Sequence, residues 1–276
     1  MMAAPRLSHL HWRFKKARAD VADRIGRGFT YVHPTVGRFV YHPSDWISRK
    51  LFLYGDFEAT EVQFARAQAC AGGVVLDVGA NVGLYTAACA RAVGANGRVI
   101  AVEPGPKTFA KLTATCAWLG LSNVAPVHAA AGPTSGTACF VTKDTHDVHQ
   151  HLADARTAAN DDTTEVQMVR LDDLCAPDVD AVVLVKIDVE GHEVGALRGA
   201  GRILANRRAR LIVECYPAGL TAAGASSDEL WATLSRTHTC LSVIAADGTL
   251  RPPRRESVVA RESDEAFNTL WSPRSC

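Results

Sequence analysis

The sequence predicts a doubly wound α/β fold, with a mostly parallel sheet and helices on both faces. Three observations carry this expectation. From Gly72 onward, short apolar strands alternate with helical stretches, the pattern of parallel strands buried on both sides. A glycine-containing turn, Asp77 to Gly83, joins the first of these strands to a helix. The next strand ends on an acid, Glu103. Open α/β sheets bind ligands at such carboxyl ends.

Taken in order, residues 1–70 form an N-terminal extension. Gly28 to Tyr41 is rich in β-branched and aromatic residues and is broken by Pro34 and Gly37, as in a small hairpin. Glu58 to Ala71 reads as a helix leading into the main domain, residues 71–276. There the predicted strands are Val74–Val78, Arg98–Val102, Val124–Ala130, Val166–Val169, Ala181–Ile187 and Ala209–Cys215. Helices are expected over Val82–Val93, Pro106–Leu119, about 191–204 and Ser227–Ser235, and further strands over Leu241–Ala245 and Phe267–Trp271. Residues 133–165 interrupt the alternation with Gly136, several threonines and a long polar stretch, and predict a hairpin and a variable loop.

Composition narrows the function. Of 276 residues, 47% are hydrophobic, which is enough for a sizeable core. Thirty basic and 29 acidic residues leave a net charge of +1, so no global field draws nucleic acid or an anionic membrane. No apolar run approaches the roughly 20 residues that span a bilayer. The start, MMAAPRLSHLHWRFKKARAD, is basic without an apolar stretch after the charges, so neither a secretory signal nor a transit peptide is expected. Eight cysteines include no Cys-x-x-Cys pair, and Cys89 and Cys215 stand in apolar segments. This argues against a zinc site and for a reducing, cytoplasmic setting.

The Asp77-Val78-Gly79-Ala80-Asn81-Val82-Gly83 turn selects a ligand by what it lacks. A dinucleotide needs G-x-G-x-x-G to seat its pyrophosphate. Counting from Gly79, the second glycine position holds Asn81 and the third Leu84, and Asp77 would repel a phosphate. This disfavours an NAD-dependent oxidoreductase. S-adenosylmethionine carries an ammonium and a sulfonium and no phosphate, so an acid beside the turn attracts it. Glu103 can accept hydrogen bonds from both ribose hydroxyls, each contributing roughly 1.5–3 kcal/mol to a charged acceptor.

The sequence resembles the class I S-adenosylmethionine-dependent methyltransferases, and more narrowly the FkbM family. The resemblance rests on VVLDVGANVGLYT at 74–86, VIAVEPGPKTFAKL at 99–112, LDDL at 171–174 and VKIDVEGHEVGALRGA at 185–200, with SDWISRKLFLYGDFEATE at 44–61 similar to that family's entry segment. It implies a Rossmann-like, seven-stranded sheet with the last strand antiparallel, and methyl transfer, typically to oxygen on natural products or sugars. It also implies that Asp77, Gly79, Asn81, Gly83 and Glu103 bind the cofactor. One departure stands out. Many class I enzymes carry an acid after the third strand that binds the adenine amine, but here the sequence reads His128-Ala129-Ala130-Ala131-Gly132.

Lys186, Asp188 and Glu190 alternate along the end of a buried strand, and alternate side chains on a strand share a face. If the strand persists that far, the three converge beside the cofactor turn. Charges seldom end a buried strand without partners. We therefore expect Asp188 or Glu190 to contact an acceptor hydroxyl, with Lys186 tuning the local charge. The rival role for Asp188, Glu190 and Glu214 is to hold Mg²⁺, which prefers oxygen ligands; no metal site is assigned. His146, His149 and His151 are read as loop histidines, and Trp46, Phe57 and Tyr216 as core residues that can also line an apolar pocket. The expected function is O-methylation of a small molecule or sugar, with no nucleic-acid or membrane partner. An N-methyltransferase is the alternative, weakened by the absence of Asn/Asp-Pro-Pro-Tyr/Phe where KIDVEG stands. A further alternative is a non-catalytic nucleoside-binding module that keeps the fold.

Overall fold

The computed structural model describes residues 9–55, 57–141, 152, 163–245, 247–255, 258 and 266–274. Helix α1 (His9–Ile25), a hairpin of β1 (Phe29–His33) and β2 (Gly37–Tyr41), α2 (Trp46–Tyr54) and α3 (Ala59–Gln68) come first. Next are β3 (Val74–Val78), α4 (Leu84–Val93), β4 (Arg98–Val102), α5 (Pro106–Leu119) and β5 (Val124–Val127). The short β6 (Ala130–Ala131), β7 (Gly136–Val141) and β8 (Thr163–Val169) form a separate small sheet, followed by α6 (Leu171–Leu174). The chain then runs through β9 (Val182–Ile187), α7 (Glu193–Arg198), α8 (Gly201–Ala205), β10 (Arg210–Cys215), α9 (Pro217–Ala222) and α10 (Ser227–Ser235). It ends in β11 (His238–Ile244), β12 (Leu250–Arg251) and β13 (Phe267–Pro273).

The main sheet has the order β12-β11-β13-β10-β9-β3-β4-β5. Strands β5, β4, β3, β9 and β10 pair in parallel, and β13 is antiparallel to both its neighbours. This is the expected doubly wound sheet with its last strand antiparallel. The two-residue β12 adds an eighth, edge strand that the sequence did not announce. Chain order reverses between β3 and β9, the switch point where such sheets open a ligand crevice. The register there sets Asp77 level with Lys186 on the neighbouring strand.

Strand side chains alternate between two cores. Leu76, Ile100, Val185 and Leu211 face α7, α8 and α10 on one side. Val75, Val99, Val183 and Ile212 face the other, where they meet Phe39, Ile47, Leu51 and Val62 of the N-terminal region. That region therefore covers a sheet face. It also contains α1, where the sequence reads as a basic helix, and α2, which the sequence reading did not mark. Asp45 caps α2, accepting from the Ser48 amide at 2.6 Å.

Several expected elements differ. The strand expected over Val124–Ala130 divides, because Ala130 and Ala131 leave the main sheet to pair with β8. The strand expected at Val166–Val169 starts earlier, at Thr163, and pairs antiparallel with β7 in the small sheet. The helix expected over 191–204 breaks between Arg198 and Gly201. Gly199 packs on the Gly132 backbone there, where a Cβ would lie 2.1 Å from the Gly132 oxygen. Asp172, from the LDDL segment, restarts the chain as α8 by accepting from the amides of Arg202 and Ile203 at 3.0–3.1 Å. No helix among the described residues is long and apolar enough to cross a membrane. His146, His149 and His151 lie outside the described residues.

Candidate active site

The turn after β3 is fixed by its own backbone. Amides of Gly79 and Ala80 both donate to the Val102 carbonyl, at 2.9 and 3.0 Å, which ties the turn to β4. Gly79 has φ +74°, and a Cβ there would fall 1.7 Å from the Asp188 carbonyl oxygen, so only hydrogen fits. Asn81, at φ 49°, donates its amide to Glu103 at 3.0 Å. Glu103 accepts a second bond from the Gly105 amide at 2.8 Å, and so straps the turn to the start of α5. Burial pushes the Glu103 carboxyl up to about 7 against the pull of those two amides.

Asp77 and Gly83 stand behind this turn. Asp77 is buried, accepts from the Thr86 hydroxyl at 2.5 Å and faces Lys186 at 4.0 Å. Gly83 caps α4 at φ +91° against Leu112 and Thr115. Neither lines the cavity described below. Both shape the turn that does.

The floor beside the turn is charged. Strand β9 ends at Ile187, so Asp188 and Glu190 do not continue its alternation. They are brought together instead by a tight turn in which Glu190 takes φ 53° and Gly191 φ +101°. Buried Glu193 holds this turn, accepting from the Val189 and Gly191 amides at 3.1 and 3.0 Å. Lys186 Nζ donates to the Gly79 carbonyl at 3.0 Å and pairs with Asp188 at 3.0 Å. Burial alone would lower the Lys186 pKa, but Asp188, Asp77 and Glu58 outweigh it and raise it. Glu190 is pushed up to about 9 by burial and then by the charges of Asp188 and Glu193. Glu214 is raised well above its ordinary value by burial and by the same cluster.

A cavity of about 460 Å³ joins the turn to this floor, within the roughly 300–1,000 Å³ usual for small-molecule sites. Of the expected site residues, Gly79, Asn81, Glu103, Lys186, Asp188 and Glu190 line it. So do Trp46, Phe57 and Tyr216. Where the adenine-binding acid is missing, Ala129, Ala130 and Ala131 form an apolar wall. Near Glu103 that wall is joined by Thr108, whose buried hydroxyl has no hydrogen-bond partner among the described residues.

Sequence reasoning missed Thr108, Tyr85 and Glu58, all of which line the cavity. Glu58 precedes the first strand of the main sheet by some distance, and its place in the segment that resembles the family's entry was the one available signal. The donor set fits a nucleoside with a cationic tail: a carboxylate at the turn, an apolar wall, an acidic floor and no phosphate cradle.

The model of the methyltransferase FkbM domain matches residues 77–239. The chain belongs to the FkbM methyltransferase family. It is thereby an S-adenosylmethionine-dependent methyltransferase. No curated protein matches it in sequence. Among solved structures, the FkbM methyltransferase from Methylobacillus flagellatus KT is 15% identical with a TM-score of 0.44, over 83% of this chain and 55% of that one. An Aeropyrum pernix fibrillarin with natively bound S-adenosyl-L-methionine is 14% identical with a TM-score of 0.44, over 78% and 76% of the two chains. An rRNA methylase from Streptococcus thermophilus is 13% identical with a TM-score of 0.44, over 79% and 97%.

Proposed function

We propose that this FkbM-family methyltransferase methylates a hydroxyl oxygen of a small molecule or sugar. The observation that carries the reading is the single cavity running from the nucleoside turn at Gly79 and Glu103 to the acid-rich floor at Lys186, Asp188 and Glu190. When bound, S-adenosylmethionine supplies an electrophilic methyl group on a sulfonium centre. Gly79, Asn81 and Glu103 would hold its nucleoside, Glu103 through the ribose hydroxyls. Asp188, fixed by Lys186, would orient the acceptor by accepting from a hydroxyl adjacent to the one that is methylated. Glu190 holds its proton at neutral pH and would donate a hydrogen bond to an acceptor oxygen.

Ligand atoms of Asp188, Glu190 and Glu214 come within 4.8 Å of one another, close enough for a divalent cation. Lys186 already supplies a positive charge 3.0 Å from Asp188, and the reading assigns that charge, not Mg²⁺, to the site. The reading keeps the reducing, cytoplasmic setting expected from the cysteine spacing. The test is a mass-spectrometric screen of alcohols, sugars, phenols and amines with the cofactor, run with and without a chelator. A gain of one CH₂ on a hydroxyl compound, unaffected by chelation, supports the reading. Methylation confined to amines overturns it, and activity lost on chelation and restored by Mg²⁺ overturns the metal-free part.

A further inference from the structure

Four non-glycine residues among those described have left-handed backbone: Ser44, Glu58, Asn81 and Glu190. Three of them, Glu58, Asn81 and Glu190, line the same cavity. Such conformations persist only where the surroundings over-determine them, and they gather at functional sites. Asn81 shapes the nucleoside turn, and Glu190 belongs to the charged floor. Glu58 has no role in the reading so far, and it lies outside residues 77–239 that define the family domain.

Its backbone conformation aims it inward. Glu58 occupies the cap position of α3 at φ 49°, yet its side chain makes no capping bond. The carboxyl instead enters the cavity, where the groups facing it come from three directions. Asp188, Lys186 and Glu190 face it from the end of β9 and the turn that follows. Tyr85 of α4 places its hydroxyl beside it, and Glu61 lies one turn on in α3. The Tyr85 ring also packs against Lys186, 4.9 Å from Nζ. Glu58 thus lines the same cavity as the Lys186–Asp188 pair on which the acceptor is proposed to rest, within electrostatic reach of both.

We propose that Glu58 is the catalytic base, taking the acceptor's hydroxyl proton during methyl transfer. The inference rests on the hydroxyl-acceptor reading above. The acceptor oxygen forms a bond to the methyl carbon while the carbon–sulfur bond breaks. That electron pair stays on sulfur, which becomes neutral in S-adenosylhomocysteine, and the proton passes from oxygen to the Glu58 carboxylate.

The other carboxyls are less suited to the task. Asp188 has an oxygen committed to Lys186 at 3.0 Å. Glu190, pushed to about 9, and Glu214, raised well above its usual range, hold their protons at neutral pH. Glu103 is bound to two amides on the nucleoside side. Burial, and then the charge of Asp188, push Glu58 up to about 7. A base is most effective when its pKa lies near the working pH.

The test uses the full chain and its E58Q and E58D variants. In E58Q, kcat falls by about a hundredfold or more, the usual contribution of a positioned base. Affinity for S-adenosylhomocysteine stays within about twofold, which shows that the variant folds, and with cofactor saturating the acid limb of the kcat/KM profile for the acceptor disappears. E58D regains part of kcat and keeps an acid limb. A merely structural role would not move that limb. An independent readout needs no acceptor: carboxyl NMR of protein carrying ¹³C-labelled glutamate, titrated without ligand. One resonance with a midpoint near neutral is present in the wild type and missing in E58Q. Wild-type kcat in E58Q, or no near-neutral resonance lost with Glu58, overturns the proposal. Failure of the hydroxyl reading is distinguishable, since it appears in the wild type as methylation of amines alone.

Discussion

Lys186 and Asp188, two residues apart, form an ion pair of 3.0 Å over the end of β9, and the lysine is 4% exposed. The same ammonium donates to the Gly79 carbonyl and faces Asp77 at 4.0 Å, so one side chain links floor, turn and strand. Lys186→Met leaves two carboxylates without their counter-charge. Removing one partner of a buried pair costs about 3–5 kcal/mol. Urea unfolding at pH 8 reads the loss, and calorimetric titration should show S-adenosylhomocysteine affinity falling with it. Unchanged stability would remove Lys186 as the organising charge.

Gly79→Ala tests the turn itself. The new methyl group has no room beside the Asp188 carbonyl, and the φ of +74° is strained for alanine. Loss of cofactor binding is expected, with destabilisation of about 3 kcal/mol or more, as for misfitted core positions. Calorimetry and thermal unfolding measure the two effects separately. A variant that binds normally would contradict the packing of Gly79 on Asp188.

If Glu103 holds the ribose as proposed, cofactor affinity should depend on pH. Its ionised form is the better acceptor for ribose hydroxyls, and its carboxyl is pushed up to about 7. Affinity for S-adenosylhomocysteine should therefore rise as pH goes from 6 to 8 and level off above. Glu103→Gln should bind about 10- to 100-fold more weakly, equivalent to roughly 1.5–3 kcal/mol. It should also lose that part of the pH dependence. A parallel slope in both proteins would assign the titration to another group.

Stability of the ligand-free protein should fall as pH rises. Glu58, Glu103 and Glu193 are each raised from 4.5 to about 7 by burial, and Glu190 to about 9. A carboxyl whose folded pKa exceeds its unfolded one stabilises the fold below the unfolded pKa. That contribution is lost as pH climbs through the folded value. Urea midpoints should decline from pH 5 to 9, and Glu190→Gln should flatten the portion between 7 and 9. A midpoint that rises over this range would show these carboxyls to be ionised in the fold.

Asp172 supplies a structural control. It is buried and accepts from the amides that open α8, far in role from the cavity. Asp172→Ala should cost about 1–2 kcal/mol, the value of a lost cap, while leaving cofactor affinity unchanged. Chemical unfolding and ligand titration check both halves.

What the sequence disclosed follows from how local each signal is. The Asp77–Gly83 turn and Glu103 were legible because the chemistry is written in consecutive residues on consecutive strands. Lys186, Asp188 and Glu190 were found too, but by a strand alternation that stops at Ile187. Their convergence depends on the left-handed Glu190 and on Glu193 bonding back to the turn, neither of which a strand pattern encodes. Glu58, Tyr85 and Thr108 went unread as site residues although each stands in a stretch that resembles the family, because nothing local says which of their side chains reaches the cavity. The small sheet of β6, β7 and β8 was half legible: the hairpin was expected, while its separation from the main sheet depends on where Ala130 turns away.

The N-terminal region covers one sheet face with Phe39, Ile47, Leu51 and Val62 and walls the cavity with Trp46, Phe57 and Glu58. The stretch that marks the family is therefore not self-sufficient: excised alone, it would bare an oily flank and lack one side of its pocket. The turn and the charged floor lie on the family stretch, and the facing wall on the N-terminal segment. Descent with modification can redraw the second while leaving the first untouched.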